Sequence, residues 1–387
     1  MKKLTSLFIT FALAASLIQA QESMPAVTFA QESINSFDTK LFKTLSATEG
    51  NVNYSAISIY SLLYALQKGA DGDTKNQINQ VIDLEPNEET DFLVRYIIKS
   101  TKNMTNSLWY KKSLGIQSDY RLFTKDYDFI IKPVDFYQGA KVRKEINSFI
   151  SKQTNKLIDN FLTEDLPSST QLVLLNTLYF NQKWKSEFDE KDTYEQLFHK
   201  NSREERKINM MHKTTSLQYY EDKDFQIAEF DYQDDRYSMI VFLPYDYDYN
   251  FQEADLVKEL EMFNEEKKRS HVEISFPKFD LTSKYNLVPI LQAMGMTDAF
   301  DPKASNLSKI FTDDSNLFVD TAIHQVRITV NEKETKAAAV TMFGMKATAF
   351  MPQRPPIVFN ADHPFAYVIL DKSTGINLFT GIVREPR

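Results

Sequence analysis

Apolar residues recur along the chain with two periods, and the two alternate. Ile34, Phe37, Leu41 and Leu45 stand at helical spacing, which predicts an amphipathic helix over 33–45. The stretch from Asn51 to Leu63 leads into a largely apolar helix predicted to run to Gly69, with Ser55 and Ser58 at its entrance, hydroxyl residues of the kind that cap helices. Residues 105–110 and 130–131 read as strands around a polar helical segment. Ile146, Phe149, Ile150, Leu157 and Phe161 predict a helix over 146–161. Leu172–Phe180 is nearly continuous in apolar residues, the mark of a strand buried on both faces. Asn176 interrupts it, and a buried amide there needs a hydrogen-bond partner. Strands recur at 239–244 and 272–277, with a charged, solvated helix between them carrying Glu265, Glu266, Lys267, Lys268 and Arg269.

The stretch from Val330 to Pro356 behaves differently. Val326, Ile328 and Val330 alternate with Arg327 and Thr329 as a half-buried strand does. The small residues Ala337 to Ala339 follow, too poor in bulk to anchor a core helix, and the stretch ends in Pro352, Pro355 and Pro356, which favour extended backbone. Successive side chains of a strand point to opposite faces. One phase holds Thr335, Ala337, Ala339, Thr341, Phe343 and Met345, without a charge; Glu334, Lys336 and Lys346 all fall on the other. Such a segment is able to enter a sheet with its neutral face inward, whereas an unpaired buried charge costs several kcal/mol.

Composition narrows the chemistry. Met1 to Ala20, with Lys2 and Lys3 before an apolar run, reads as a secretory signal peptide, too short in its apolar part to span a membrane. The expected product is secreted and extracellular. Length alone suggests two domains, but no Pro/Gly/Ser-rich linker divides the chain, so 21–387 is expected to be one domain. No cysteine is present, which excludes disulfides and thiolate sites. The net charge of -8 argues against nucleic-acid or anionic-membrane partners. Asn53, Asn103 and Asn306 head N-x-S/T sequons and are glycosylation candidates. The nine glycines form no phosphate loop and no G-x-S-x-G, and the five histidines lack metal-ligand spacing. No enzyme, cofactor or metal is therefore expected.

Three ordered matches resemble one family, the serpins. Val330-Asn331-Glu332, Thr335, Ala337-Ala338-Ala339 and Thr341 resemble the proximal hinge of the serpin reactive-centre loop. Residues 359–367 (FNADHPFAY) resemble the motif after that loop, and 378–386 (LFTGIVREP) the C-terminal strand. Residues 287–300 resemble the helix before the hinge strand, and similarity extends over 33–386. The resemblance implies an α+β fold of three β-sheets with about nine helices and an exposed reactive-centre loop near 332–356. It assigns Glu332, Glu334, Thr335, Ala337, Ala338, Ala339 and Thr341 to the hinge. Asn51, Ser55, Ser58, Asn176 and His324 map onto the shutter, the polar network under the central sheet, and Trp184 onto the breach where the loop enters it. Ala56 stands where the family prefers Pro.

The resemblance implies a monomeric inhibitor that traps a target endopeptidase, of serine or papain-like cysteine class, when the cleaved loop inserts into the central sheet. Glu334 and Lys336 stand where inhibitory members usually carry Gly and Glu, so a non-inhibitory carrier, chaperone or storage serpin is the rival reading. The family's register from Glu332 puts the reactive bond at Thr348-Ala349, with Lys346-Ala347 as second choice.

Overall fold

The computed structural model describes residues 25–85, 88–312, 317–333 and 355–386. The signal segment, the hinge from Glu334 onward and both candidate reactive bonds lie outside them. In chain order the elements are α1 (Pro25–Leu45), β1 (Val52–Tyr54), α2 (Ala56–Gly69), α3 (Gly72–Val81), α4 (Glu88–Ser100), β2 (Met104–Lys111), α5 (Ser118–Asp126), β3 (Ile130–Val134), α6 (Gly139–Gln153), β4 (Leu172–Phe180), β5 (Thr193–His199), β6 (Glu205–Glu221), β7 (Phe225–Asp231), β8 (Tyr237–Pro244), α7 (Leu256–Glu266), β9 (Lys268–Pro277), β10 (Phe279–Asn286), α8 (Leu287–Ala293), β11 (Thr321–Val330), β12 (Ile357–Asn360), β13 (Phe365–Asp371) and β14 (Ile376–Val383). Among the described residues no helix is long and apolar enough to cross a membrane.

The strands join in two hydrogen-bonded networks. One has five strands in the order β10-β11-β4-β2-β3; the other runs β1-β14-β13-β8-β7-β6-β9-β12, with β5 beside β6. The two smaller of the three expected sheets are continuous here because β6 pairs β9 over Met210 to Tyr219 and β7 over Gln218 to Glu221.

Strand parity builds the layers. On β4, Leu172, Leu174 and Leu178 enter the main core shared with α2, while Val173 and Leu175 join Val142, Ile146 and Ile150 beneath α6. That is why β4 reads as nearly continuous in apolar residues: each face has its own cover. β11 follows the same rule, with Val326, Ile328 and Val330 buried and Arg327 partly exposed. α2 lies between the two networks, so it is apolar on every side.

Two helices differ from their expected bounds. α6 runs from Gly139 to Gln153 and does not reach 161, because Asn155 and Lys156 take left-handed backbone (φ 49 and 64) and Thr154 Oγ1 accepts from the Ile158 amide. Leu157 and Phe161 therefore belong to the loop after α6, although Phe161 is fully buried. Lys268 and Arg269 lie in β9, since α7 ends at Glu266.

Where β1, β14 and β13 meet, Gly381 is in register with both Asn53 and Tyr367, and the Tyr367 hydroxyl donates to Asn53 Oδ1 at 3.0 Å. A Cβ at position 381 would stand 2.5 Å from Tyr367 Cε1, inside van der Waals contact of a fully buried ring. Gly381→Ala is expected to cost about 1–3 kcal/mol by overpacking. The thermal unfolding midpoint should fall by several degrees; an unchanged midpoint would mean that the ring shifts freely.

Candidate functional site

The centre of the five-stranded sheet carries a row of polar side chains in direct register. Tyr285 on β10 faces His324 on β11, His324 faces Asn176 on β4, and Asn176 faces Asn106 on β2. Asn176 is fully buried and uses all of its amide. Its Oδ1 accepts from Ser58 Oγ at 2.7 Å and from His324 Nδ1; its Nδ2 donates to the Ser58 carbonyl at 3.1 Å and to Asn106 Oδ1 at 2.6 Å. Asn106 Nδ2 continues to Ser61 Oγ at 2.7 Å. The row thus ties β2, β4 and β11 to the first turns of α2.

The tautomer of His324 follows from its partners. The Ser55 amide donates to Nε2 at 3.1 Å, so Nε2 accepts and the proton sits on Nδ1, facing the Asn176 oxygen. Complete burial holds the imidazole neutral, with its pKa pushed down to about 3. The His324–Asn176 bond crosses from β11 to β4. These strands run parallel, from Thr321 opposite Val173 to Ile328 opposite Phe180.

At the end of β11 the chain is clamped at successive residues. Trp184 Nε1 donates to the Asn331 carbonyl at 2.8 Å, and the indole stacks on Tyr232 with centroids 4.5 Å apart. The Phe188 amide donates to the Glu332 carbonyl at 3.0 Å. The Glu332 carboxylate is buried, which pushes its pKa up, but its ion pair with Lys278 at 2.9 Å outweighs this and holds it below the usual range. Lys333 pairs with Glu190 at 2.9 Å. On the far side of residues 334–354, β12 pairs with β9, so the segment spans from one hydrogen-bonded network to the other.

The sequence model of the Serpin family, described as serine protease inhibitor, matches residues 32–386. The chain belongs to the serpin family. It is 31% identical over 369 residues to an uncharacterised serpin-like protein of Thermococcus kodakarensis, covering 92% of this chain and 85% of that one. It is 31% identical over 372 residues to the leukocyte elastase inhibitor of Xenopus tropicalis, covering 90% and 97%. Its fold superposes on native protease nexin-1, solved with heparin, with a TM-score of 0.83 at 25% identity, over 93% of this chain and all of the other.

Of the residues expected at this serpin's control points, Ser55, Ser58, Asn176 and His324 come together in one network, and Trp184 stands at the root of the loop. Asn51 does not join them. It precedes edge strand β1 and clamps the chain after β14, accepting from the amides of Arg384 and Glu385 at 2.8 and 2.9 Å and donating to the Glu385 carbonyl at 2.7 Å. Asn106 and Ser61 take part without having been expected; the sign for Asn106 was an amide inside the strand segment 105–110. Among the sequons, Asn103 and Asn306 are exposed. Asn53 is fully buried, its amide bonded to Tyr367 and the Leu281 carbonyl, so the folded chain has no room for a glycan there.

The network makes a pH prediction. His324 has a folded pKa near 3 against about 6.5 for a free imidazole. Between those values the unfolded chain binds the extra proton and the native one does not, so this contribution is complete above about pH 6.5 and is lost as pH falls toward 3. His324→Gln should flatten that part of the stability profile relative to the parent, by several kcal/mol at most. Denaturation midpoints of both chains from pH 7.5 to 4 test it; parallel profiles would exclude the assignment.

Proposed function

We propose that this serpin is a secreted, monomeric suicide inhibitor of an endopeptidase of serine or papain-like cysteine class. The observation that carries the reading is the seam between β11 and β4, two parallel strands of which one runs directly into residues 334–354. A segment that turns back after Lys333 runs antiparallel to both, and each of its residues then faces a ladder partner on either side. The neutral phase from Thr335 to Met345 suits the covered face, and the charged phase suits solvent.

The chemistry belongs to the peptidase. Its nucleophile attacks the carbonyl of the reactive bond, the new C-terminal piece leaves as a free amine, and the N-terminal piece stays acylated to the enzyme. The released segment then enters the seam and carries the acyl-enzyme across the sheet. Displaced catalytic groups no longer activate the deacylating water, since errors near 1 Å cost orders of magnitude in rate. The elastase-inhibitor relative supports this class of target. Secretion is the role we assign to residues 1–20. The specific observation favouring a non-inhibitory role is Glu334, a side chain where the bend after β11 favours the freedom of glycine.

Mixing the full chain with a panel of peptidases tests the proposal: an SDS-resistant complex and an equimolar C-terminal fragment are expected. A fragment beginning at Ala349 matches the first-choice bond and one beginning at Ala347 the second; cleavage by every peptidase without a complex would leave the non-inhibitory reading standing. Thr335→Arg should turn the inhibitor into a substrate, cut at the usual bond but unable to trap, because its charge enters on the covered face at a cost of several kcal/mol. Glu334→Gly should lower the moles of inhibitor consumed per mole of peptidase silenced.

A further inference from the structure

Three of the five histidines gather where β5, β6 and the chain after β12 approach one another. His212 on β6 places both ring nitrogens against oxygen atoms, Nδ1 at 3.1 Å from the Asp192 carbonyl and Nε2 at 3.0 Å from Gln196 Oε1. Gln196 Nε2 donates to Asn360 Oδ1 at 3.3 Å, and Asn360 Nδ2 donates to Asp362 Oδ2 at 2.7 Å. The other Asp362 oxygen lies 2.8 Å from His363 Nδ1, and His363 Nε2 lies 2.6 Å from the Pro244 carbonyl. His363 is buried, stacks on Tyr247 at 4.2 Å, and has His199 edge-on to that tyrosine at 5.2 Å. β12 lies at the sheet edge and is only four residues long, paired to β9 alone.

We propose that the hydrogen-bond chain from His212 through Gln196, Asn360 and Asp362 to His363 is a proton-operated clasp on β12, the strand that receives the C-terminal end of the reactive loop. Every link is directed. Asp362 accepts at both oxygens, which fixes the Asn360 amide, which fixes the Gln196 amide, which leaves Gln196 Oε1 facing His212. With two acceptors around it, His212 satisfies both only as the imidazolium. Loss of its proton to water puts a ring lone pair against an oxygen. Flipping Gln196 moves that mismatch to Asn360, and flipping Asn360 moves it to a carboxylate, so no reorientation removes it.

Charged or titratable side chains near His212 in sequence and register include Tyr194 and Glu195 of β5, Lys191 and Asp192 before it, Lys213 on its own strand and Glu273 of β9, while Asp362 and His363 lie at the far end of the chain of bonds. Tyr194 stacks on the imidazole at 4.0 Å, and Asp362 anchors the far end of the chain. The clasp is closed when His212 carries a proton on both ring nitrogens and weakened when one of these protons is lost. A β12 that loosens with rising pH lengthens the free span of the loop and slackens its C-terminal anchor.

That consequence for trapping rests on the inhibitor reading above, whereas exchange at β12 reads the clasp in the free protein, with no peptidase present. Hydrogen exchange of residues 357–361, corrected for intrinsic rates, should be about fivefold slower at pH 5.5 than at pH 7.5, the equivalent of one hydrogen bond. His212→Gln should abolish that difference while His271→Gln, at an exposed site on β9, keeps it. Gln196→Leu breaks the chain from the other side and should exchange fast at both pH values. Equal protection of the parent at the two pH values, or a difference surviving in either His212→Gln or Gln196→Leu, would overturn the proposal.

Discussion

The bond between His324 and Asn176 is the constraint on which the central sheet depends. It is a side-chain bond across a parallel pair of strands, at the middle of that pair. Any segment that separates β11 from β4 must break it and remove the acceptor of an Nδ1 proton on a fully buried ring. The buried imidazole and the fully used amide of Asn176 therefore set a barrier against opening that the backbone ladder does not supply by itself. The barrier is not confined to the seam, because the same Asn176 bonds to Ser58 and Asn106, so opening the seam disturbs α2 and β2 as well.

The clamps around residues 331–333 act in series with this barrier. Trp184, Phe188, Lys278 and Glu190 each hold a different atom of the chain just past β11, and three of the four contacts are to groups that are buried or half-buried. They fix where the chain is free to turn: no earlier than Glu334. That makes the character of position 334 a matter of backbone freedom, since the residues before it are already committed to their partners.

Much of this was legible in the sequence where one physical rule dominated. The continuous apolar run of β4 has cover on both faces, and the alternation of β11 has one face in the core, so period and burial agree. The amide of Asn176 announced itself because it stands in a nearly continuous apolar strand, where the other polar atoms are only the hydroxyls of Thr177 and Tyr179. Asn106 did not, since its strand is mixed and only sheet register sets it opposite Asn176. Asn51 resembles its neighbours Ser55 and Ser58 in type, yet it stands before edge strand β1, against the C-terminal chain. The overrun of α6 has a similar origin: Leu157 and Phe161 keep helical spacing, but two left-handed residues before them end the helix without altering the apolar pattern.

The two ends of residues 334–354 are held by unlike means, and this asymmetry is what the fold contributes to any function of the segment. The N-terminal end hangs on a buried carboxylate, an indole donor and the central sheet, none of which titrates near neutrality once Lys278 holds Glu332 ionised. The C-terminal end hangs on a four-residue edge strand backed by a chain of side-chain bonds that starts and finishes at histidines. A force along the segment is therefore resisted by packing at one anchor and by protonation-dependent hydrogen bonds at the other.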